Sequence, residues 1–179
     1  HEKDLFMAHG RWHSWMHHSD FSSSSPEETL AKANFRFAKA KKDFAKTDWL
    51  LVTFGTSYVY IHKETQEVVG NCHKMPERMF TRSRLDVKMI VEEWQDVLKK
   101  CHEINPNLKV LFTVSPIRHA KDGMHGNQLS KATLLLAVDE LCRTCPGCFY
   151  FPSYEIMMDE LRDYRFYAED MCHPTLQAV

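Results

Sequence analysis

Two stretches limit most strongly what this chain can fold into. Asp48-Trp49-Leu50-Leu51-Val52-Thr53-Phe54 and Lys109-Val110-Leu111-Phe112-Thr113-Val114 are short, nearly continuous apolar runs. The first stops at Gly55-Thr56-Ser57 and the second at Ser115-Pro116-Ile117-Arg118-His119. A strand buried on both faces reads this way, as in a parallel sheet covered by helices. Between the runs, Asp86 to Cys101 places Val87, Ile90, Val91, Trp94, Val97, Leu98 and Cys101 on one helical stripe.

The flanking sequence extends the alternation. Ser25 to Lys46 predicts a helix: Ser25 can cap it, Pro26 suits the first turn, and Leu30, Ala33, Phe37, Ala40 and Phe44 follow the helical period. Val59-Tyr60-Ile61 and Val68-Val69, around Lys63 to Gln66, predict a small hairpin excursion. Gly123 to Asn127 reads as a loop, and Ser130 starts a helix through Leu134, Leu135, Val138 and Leu141. Cys148-Phe149-Tyr150-Phe151 is a third short strand, with a last helix from Tyr154 to about Arg165. Helices alternating with strands imply right-handed crossovers and a parallel sheet between two helical layers.

Bulk properties remove several function classes. The net charge is −1 over 179 residues, which gives no electrostatic case for a nucleic-acid partner or an anionic membrane. No apolar run reaches the length of a membrane span. The six cysteines, with Cys142, Cys145 and Cys148 evenly spaced, lack a matching second half for a metal site and read as reduced. Neither metal nor cofactor is expected. The compartment is left open, the cytoplasm being favoured, and so is the oligomeric state. Residues up to Ser25 are rich in His and Trp without a clean period and read as a loop that packs tryptophans. A helix there would align His9, His13 and His17 on one face, which is the minor, metal-binding alternative.

Asp170 and His173 stand three residues apart, just before Pro174. Proline keeps His173 extended, outside a helix. Asp170 can then accept from one ring nitrogen and leave the other able to take a proton from a nucleophile. Parallel strands deliver their carboxyl ends to one edge. Gly55, Ser57, Ser115, Arg118 and His119 should meet there, within reach of Asp170 and His173. Asn71, beside Gly70, could supply an amide donor to an oxyanion or simply hold a turn.

Val52 to Ser57, Gly70-Asn71-Cys72-His73-Lys74, Val114 to His119, Tyr154-Glu155, Asp159 to Tyr167 and Asp170-Met171-Cys172-His173-Pro174 together resemble the GSCFA domain. That family is similar to the SGNH/GDSL hydrolases, with a three-layer α/β/α, flavodoxin-like fold and a mostly parallel sheet. The resemblance implies a single domain over residues 1–179 and a serine esterase or acylhydrolase acting on a small-molecule or carbohydrate ester, for example an O-acetyl group. His173 would be general base, Asp170 its orienting partner, and Gly55, Ser57 and Asn71 oxyanion candidates; His73, Arg118 and His119 would contact substrate or support the site. No Gly-Ser-Cys-Phe-Ala motif occurs here. The expectation is therefore a chain incomplete at both ends, without its N-terminal strand, its nucleophilic serine upstream and its isolated form poorly soluble. A binding module without turnover is the alternative, and a metal-dependent enzyme using His9, His13, His17 or His73 a distant third.

Overall fold

A computed structural model describes residues 2–179. In chain order its strands and helices begin with β1 (Leu5–Ala8), β2 (Arg11–Ser14), α1 (Pro26–Phe44), β3 (Trp49–Phe54), β4 (Tyr58–His62), β5 (Val68–Val69) and β6 (Phe80–Arg84). They continue with α2 (Val87–Ile104), β7 (Lys109–Val114), α3 (Gly123–Thr144), β8 (Cys148–Phe151) and α4 (Ser153–Glu155). The architecture is mixed α/β. Among the described residues, four α-helices accompany a three-stranded parallel sheet, in keeping with an α/β/α layered fold. The chain divides into two compact units: residues up to Lys46 with Val59–Ser83, and Thr47–Tyr58 with Arg84–Val179.

In the first unit, β1 and β2 form an antiparallel hairpin where a loop was expected. His9 and Gly10 supply the turn, both with positive φ (50° and 72°), the conformation that two-residue hairpins require. Ser25 caps α1 by accepting from the Glu28 N–H, and Pro26 opens its first turn, as the sequence indicates. The expected apolar stripe is not buried: Leu30, Ala33 and Phe44 are half-buried, Ala40 is exposed and Phe37 is 70% exposed, while the enclosed residue of α1 is Thr29, outside the stripe. The second sheet runs β5-β4-β6. Its strand β6 carries the polar sequence Thr81-Arg82-Ser83-Arg84 after Phe80, which hides it from a hydrophobic-pattern reading.

The second unit holds the parallel sheet, ordered β3-β7-β8. β3 and β7 are direct hydrogen-bonded neighbours, from Trp49↔Lys109 to Phe54↔Val114. Val110, Phe112 and Val114 are fully buried, and Phe112 stacks on Phe54 while Trp94 of α2 meets both rings edge-on. α3 packs on β7 and β8 through the same buried side. The alternate positions Trp49, Leu51, Phe149 and Phe151 are exposed. Asp86 caps α2 through the Met89 N–H. Cys148 is buried, which pushes its thiol pKa up to about 12.

Two helix boundaries differ from expectation. α3 starts at Gly123, not at Ser130: Asn127, Ser130 and Lys131 in its early turns bond residues of the loops after β3 and β7. The last helix does not continue to Arg165. After α4 the chain widens into a π-helical turn, Ile156–Glu160, and stops at Leu161. Asp163 then caps a separate 3₁₀ turn, Tyr164–Phe166, by accepting from the Arg165 N–H.

Candidate active site

The Asp170 carboxylate organises its own turn. Oδ1 accepts from the backbone N–H groups of Cys172 and His173, each at 2.9 Å. Oδ2 lies 2.5 Å from Nδ1 of His173. Met171 takes the left-handed conformation (φ 60°) that reverses the chain between them. The backbone N–H bonds from His173 and Cys172, then the imidazole bond, hold the Asp170 pKa down to about 2. An ionised Asp170 fixes the proton on Nδ1, so Nε2 presents a lone pair. Both side chains stay open to solvent, 58% exposed at His173 and 51% at Asp170, so a reactant can reach the imidazole. Beyond the turn, Ala168 N–H donates to the His173 carbonyl, and Tyr167 bridges Pro174.

Arg118, from the loop after β7, fastens this turn. Its backbone N–H donates to the Cys172 carbonyl at 3.1 Å, and its Nη1 donates to the Met171 carbonyl at 3.1 Å. The guanidinium carbon sits 4.0 Å from the Tyr167 ring centre, a cation–π contact. These contacts tie Arg118 to the backbone and ring of the turn.

At the carboxyl ends of β3 and β7, the first turns of α3 tie the two loops together. Lys131, 1% exposed, donates from Nζ to the Gly55 carbonyl at 2.5 Å and the Ser115 carbonyl at 2.6 Å. Burial lowers its pKa to about 8. Ser130 Oγ accepts from the Ser57 N–H at 2.7 Å and from Ser57 Oγ at 3.1 Å. Ser57 is 1% exposed and commits both of its donors to Ser130. Asn127 Oδ1 accepts from the His119 N–H at 3.0 Å. The His119 ring leans over Gly55, with Nε2 3.6 Å from where a Cβ would stand. In a trans peptide the Thr56 N–H points opposite to the Gly55 carbonyl, so anchoring that carbonyl on Lys131 turns the N–H away from α3. Gly55, Ser57, Ser115, Arg118 and His119 are thus gathered as the strand order implied. The pins that gather them, Asn127, Ser130 and Lys131, were not singled out from sequence. Their signal is positional: they continue the buried Leu134, Val138 and Leu141 stripe backward at helical spacing.

Asn71 and His73 belong to the first unit. Asn71 Oδ1 accepts from the His73 N–H at 2.8 Å, so the side chain holds a turn, and Nδ2 is the group it could offer. Trp15 accepts from the N–H groups of both Gly70 and Asn71. His73, 6% exposed, donates from Nε2 to the Ser14 carbonyl and meets Ser19 Oγ at Nδ1. His13 does the same with the Ala8 carbonyl and Ser22 Oγ, and burial lowers its pKa. The His/Trp-rich segment therefore clamps the Gly-Asn-Cys-His-Lys stretch. His9, His13 and His17 lie on a turn, a strand and a bend, not on one helical face. Among the described residues no group of three His, Cys, Asp or Glu side chains is placed to hold a metal ion.

No curated protein matches the chain. The sequence model of the GSCFA family matches residues 1–179, and the chain belongs to that family.

Proposed function

We propose that this chain serves a serine esterase or acylhydrolase of the SGNH type, which cleaves an O-acyl ester such as an O-acetyl group on a carbohydrate. The observation that carries the reading is the Asp170 Oδ2 to His173 Nδ1 contact of 2.5 Å with an open Nε2. Family membership is compatible with a hydrolase-like function. In this reading Nε2 takes the proton of a serine hydroxyl as that oxygen attacks the ester carbonyl. The alcohol leaves with the proton returned by the imidazolium, and water then releases the acyl group by the same base. Since the Ser57 N–H is held by Ser130, the Thr56 backbone N–H, directly after Gly55, would receive the oxyanion. Among the described residues no serine hydroxyl bonds His173, so the reading places the nucleophile outside them.

The test is a fluorophosphonate probe and an acetyl ester offered to the full-length protein and to His173→Ala. Labelling and turnover are expected in the first and not in the second. Equal reaction of both would remove His173 from the mechanism. The missing serine partner also favours a second reading, a ligand-binding module without turnover; a ligand bound by the full-length protein and never consumed would select it.

A further inference from the structure

A pocket of about 220 Å³ shares Arg118 with the Asp170–His173 turn. Met157, Met158 and Leu161 give it an apolar lining, and Tyr164 and Tyr167 add two aromatic rings. Two guanidinium groups, of Arg118 and Arg162, line it with a single carboxylate, that of Asp163. That carboxylate is engaged elsewhere. Oδ1 accepts from the Arg165 N–H at 2.9 Å, and Oδ2 faces Arg165 Nε at 3.7 Å. Arg165 is not part of the lining, so the partner of that carboxylate stands outside the pocket.

The cations have donors to spare. A guanidinium carries five N–H donors. Arg118 commits one Nη1 bond to Met171 and lays its face on Tyr167. Arg162 has no ion-pair or hydrogen-bond partner among the described residues. Planar guanidinium groups match carboxylate, sulfate and phosphate oxygens in paired, charge-assisted bonds. Tyr164 stands at the rim with 72% of its surface exposed, an uncovered ring face for a flat or ring-shaped group.

We propose that this pocket binds a small anion carried on a ring: a carboxylate, sulfate or phosphate group held by Arg118 and Arg162, with the ring against the lining methionines and Tyr164. As a binding site it stands on these contacts alone. As the specificity pocket of an esterase it depends on the function proposed above. Arg118 also holds the Met171 and Cys172 carbonyls, so an anion bound here lies beside the residues that orient His173.

The experiment is calorimetric titration of the full chain at low ionic strength with glucuronate, benzoate, sulfate and neutral methyl glucoside. The two anionic ring compounds should bind with a Kd on the order of 1 mM, sulfate more weakly, and methyl glucoside not at all. A preference for glucuronate over benzoate identifies a sugar ring, and the reverse an aromatic one. Arg162→Gln should weaken binding about tenfold, while Lys88→Gln, an exposed cation of α2 outside the lining, binds like wild type. In protein labelled at its methionine methyl groups, those of Met157 and Met158 should shift on binding. Equal affinity for neutral and anionic rings, an unchanged Arg162→Gln, or silent Met157 and Met158 methyls would overturn the assignment. Anion binding by a protein that turns over no ester would support the pocket while removing the hydrolase reading; turnover of neutral esters with no anion binding would do the opposite.

Discussion

The backbone N–H of Arg118 donates to the carbonyl oxygen of Cys172, one residue before the imidazole of His173. That bond, with the Nη1 bond to Met171 and the Tyr167 stack, joins the loop after β7 to the Asp170–His173 turn. Arg118→Ala keeps the backbone bond and loses the other two contacts. The expected loss is about 1 to 2 kcal/mol, read by urea denaturation, with faster amide exchange at Cys172 and His173. Unchanged exchange there would show that the turn holds itself.

Asp170 should titrate near its depressed pKa of about 2, not near 3.8. Because the folded value lies below the unfolded one, the contribution of this group to stability is complete above about pH 3.8 and fades as pH falls toward 2. A carboxyl-carbon NMR titration checks this, and a midpoint near the ordinary aspartate value would contradict the two backbone N–H bonds.

Asp170→Asn preserves an oxygen for the turn but sets an N–H against Nδ1. The imidazole must then carry its proton on Nε2, where it cannot act as a base. The fold should persist, and any ester turnover by the full-length protein should fall by roughly 10³- to 10⁴-fold. Imidazole nitrogen shifts report the tautomer directly, and an Nδ1-protonated ring in the variant would rule the argument out.

Lys131→Met leaves the Gly55 and Ser115 carbonyls unanswered in a buried place. A loss of about 2 kcal/mol or more is expected in chemical denaturation. In the parent chain, the Lys131 amine should titrate near 8, down from 10.5. Between those values the unfolded chain holds more protons than the folded one, so this group adds stability as pH rises from 8 to 10.5. Nitrogen-15 shifts of the side chain would give the midpoint; a value near 10.5 would mean that the carbonyls fully offset burial.

Ser130→Ala removes the acceptor of the Ser57 N–H and Oγ. A loss of about 2 kcal/mol is expected, together with loss of exchange protection at the Ser57 amide. Protection that survives the substitution would assign the loop's order to Lys131 alone.

Much of the sheet was legible in the sequence because it depends on local pattern. The apolar runs at Trp49 and Lys109 became parallel neighbours, and both end where glycine and serine begin. The Asp170–His173 geometry was legible for the same reason, since three residues and a proline suffice to define it. The hairpin at Leu5–Ala8 was not, because its turn depends on left-handed His9 and Gly10 in a stretch without alternation. Nor was the start of α3. Glycine at 123 and 126 argues against a helix by propensity, and the bonds of Asn127 to the nearby His119 and of Ser130 and Lys131 to the distant loop after β3 are not visible in a local pattern. A polar residue on a buried stripe looks like a defect until its partners are known.

The Ser115 N–H still donates to the Phe54 carbonyl where the β3–β7 ladder ends, and one ammonium then spans the Gly55 and Ser115 carbonyls, so a side chain of α3 carries the strand pairing on into the two loops. A change at position 131 would act on both loops at once.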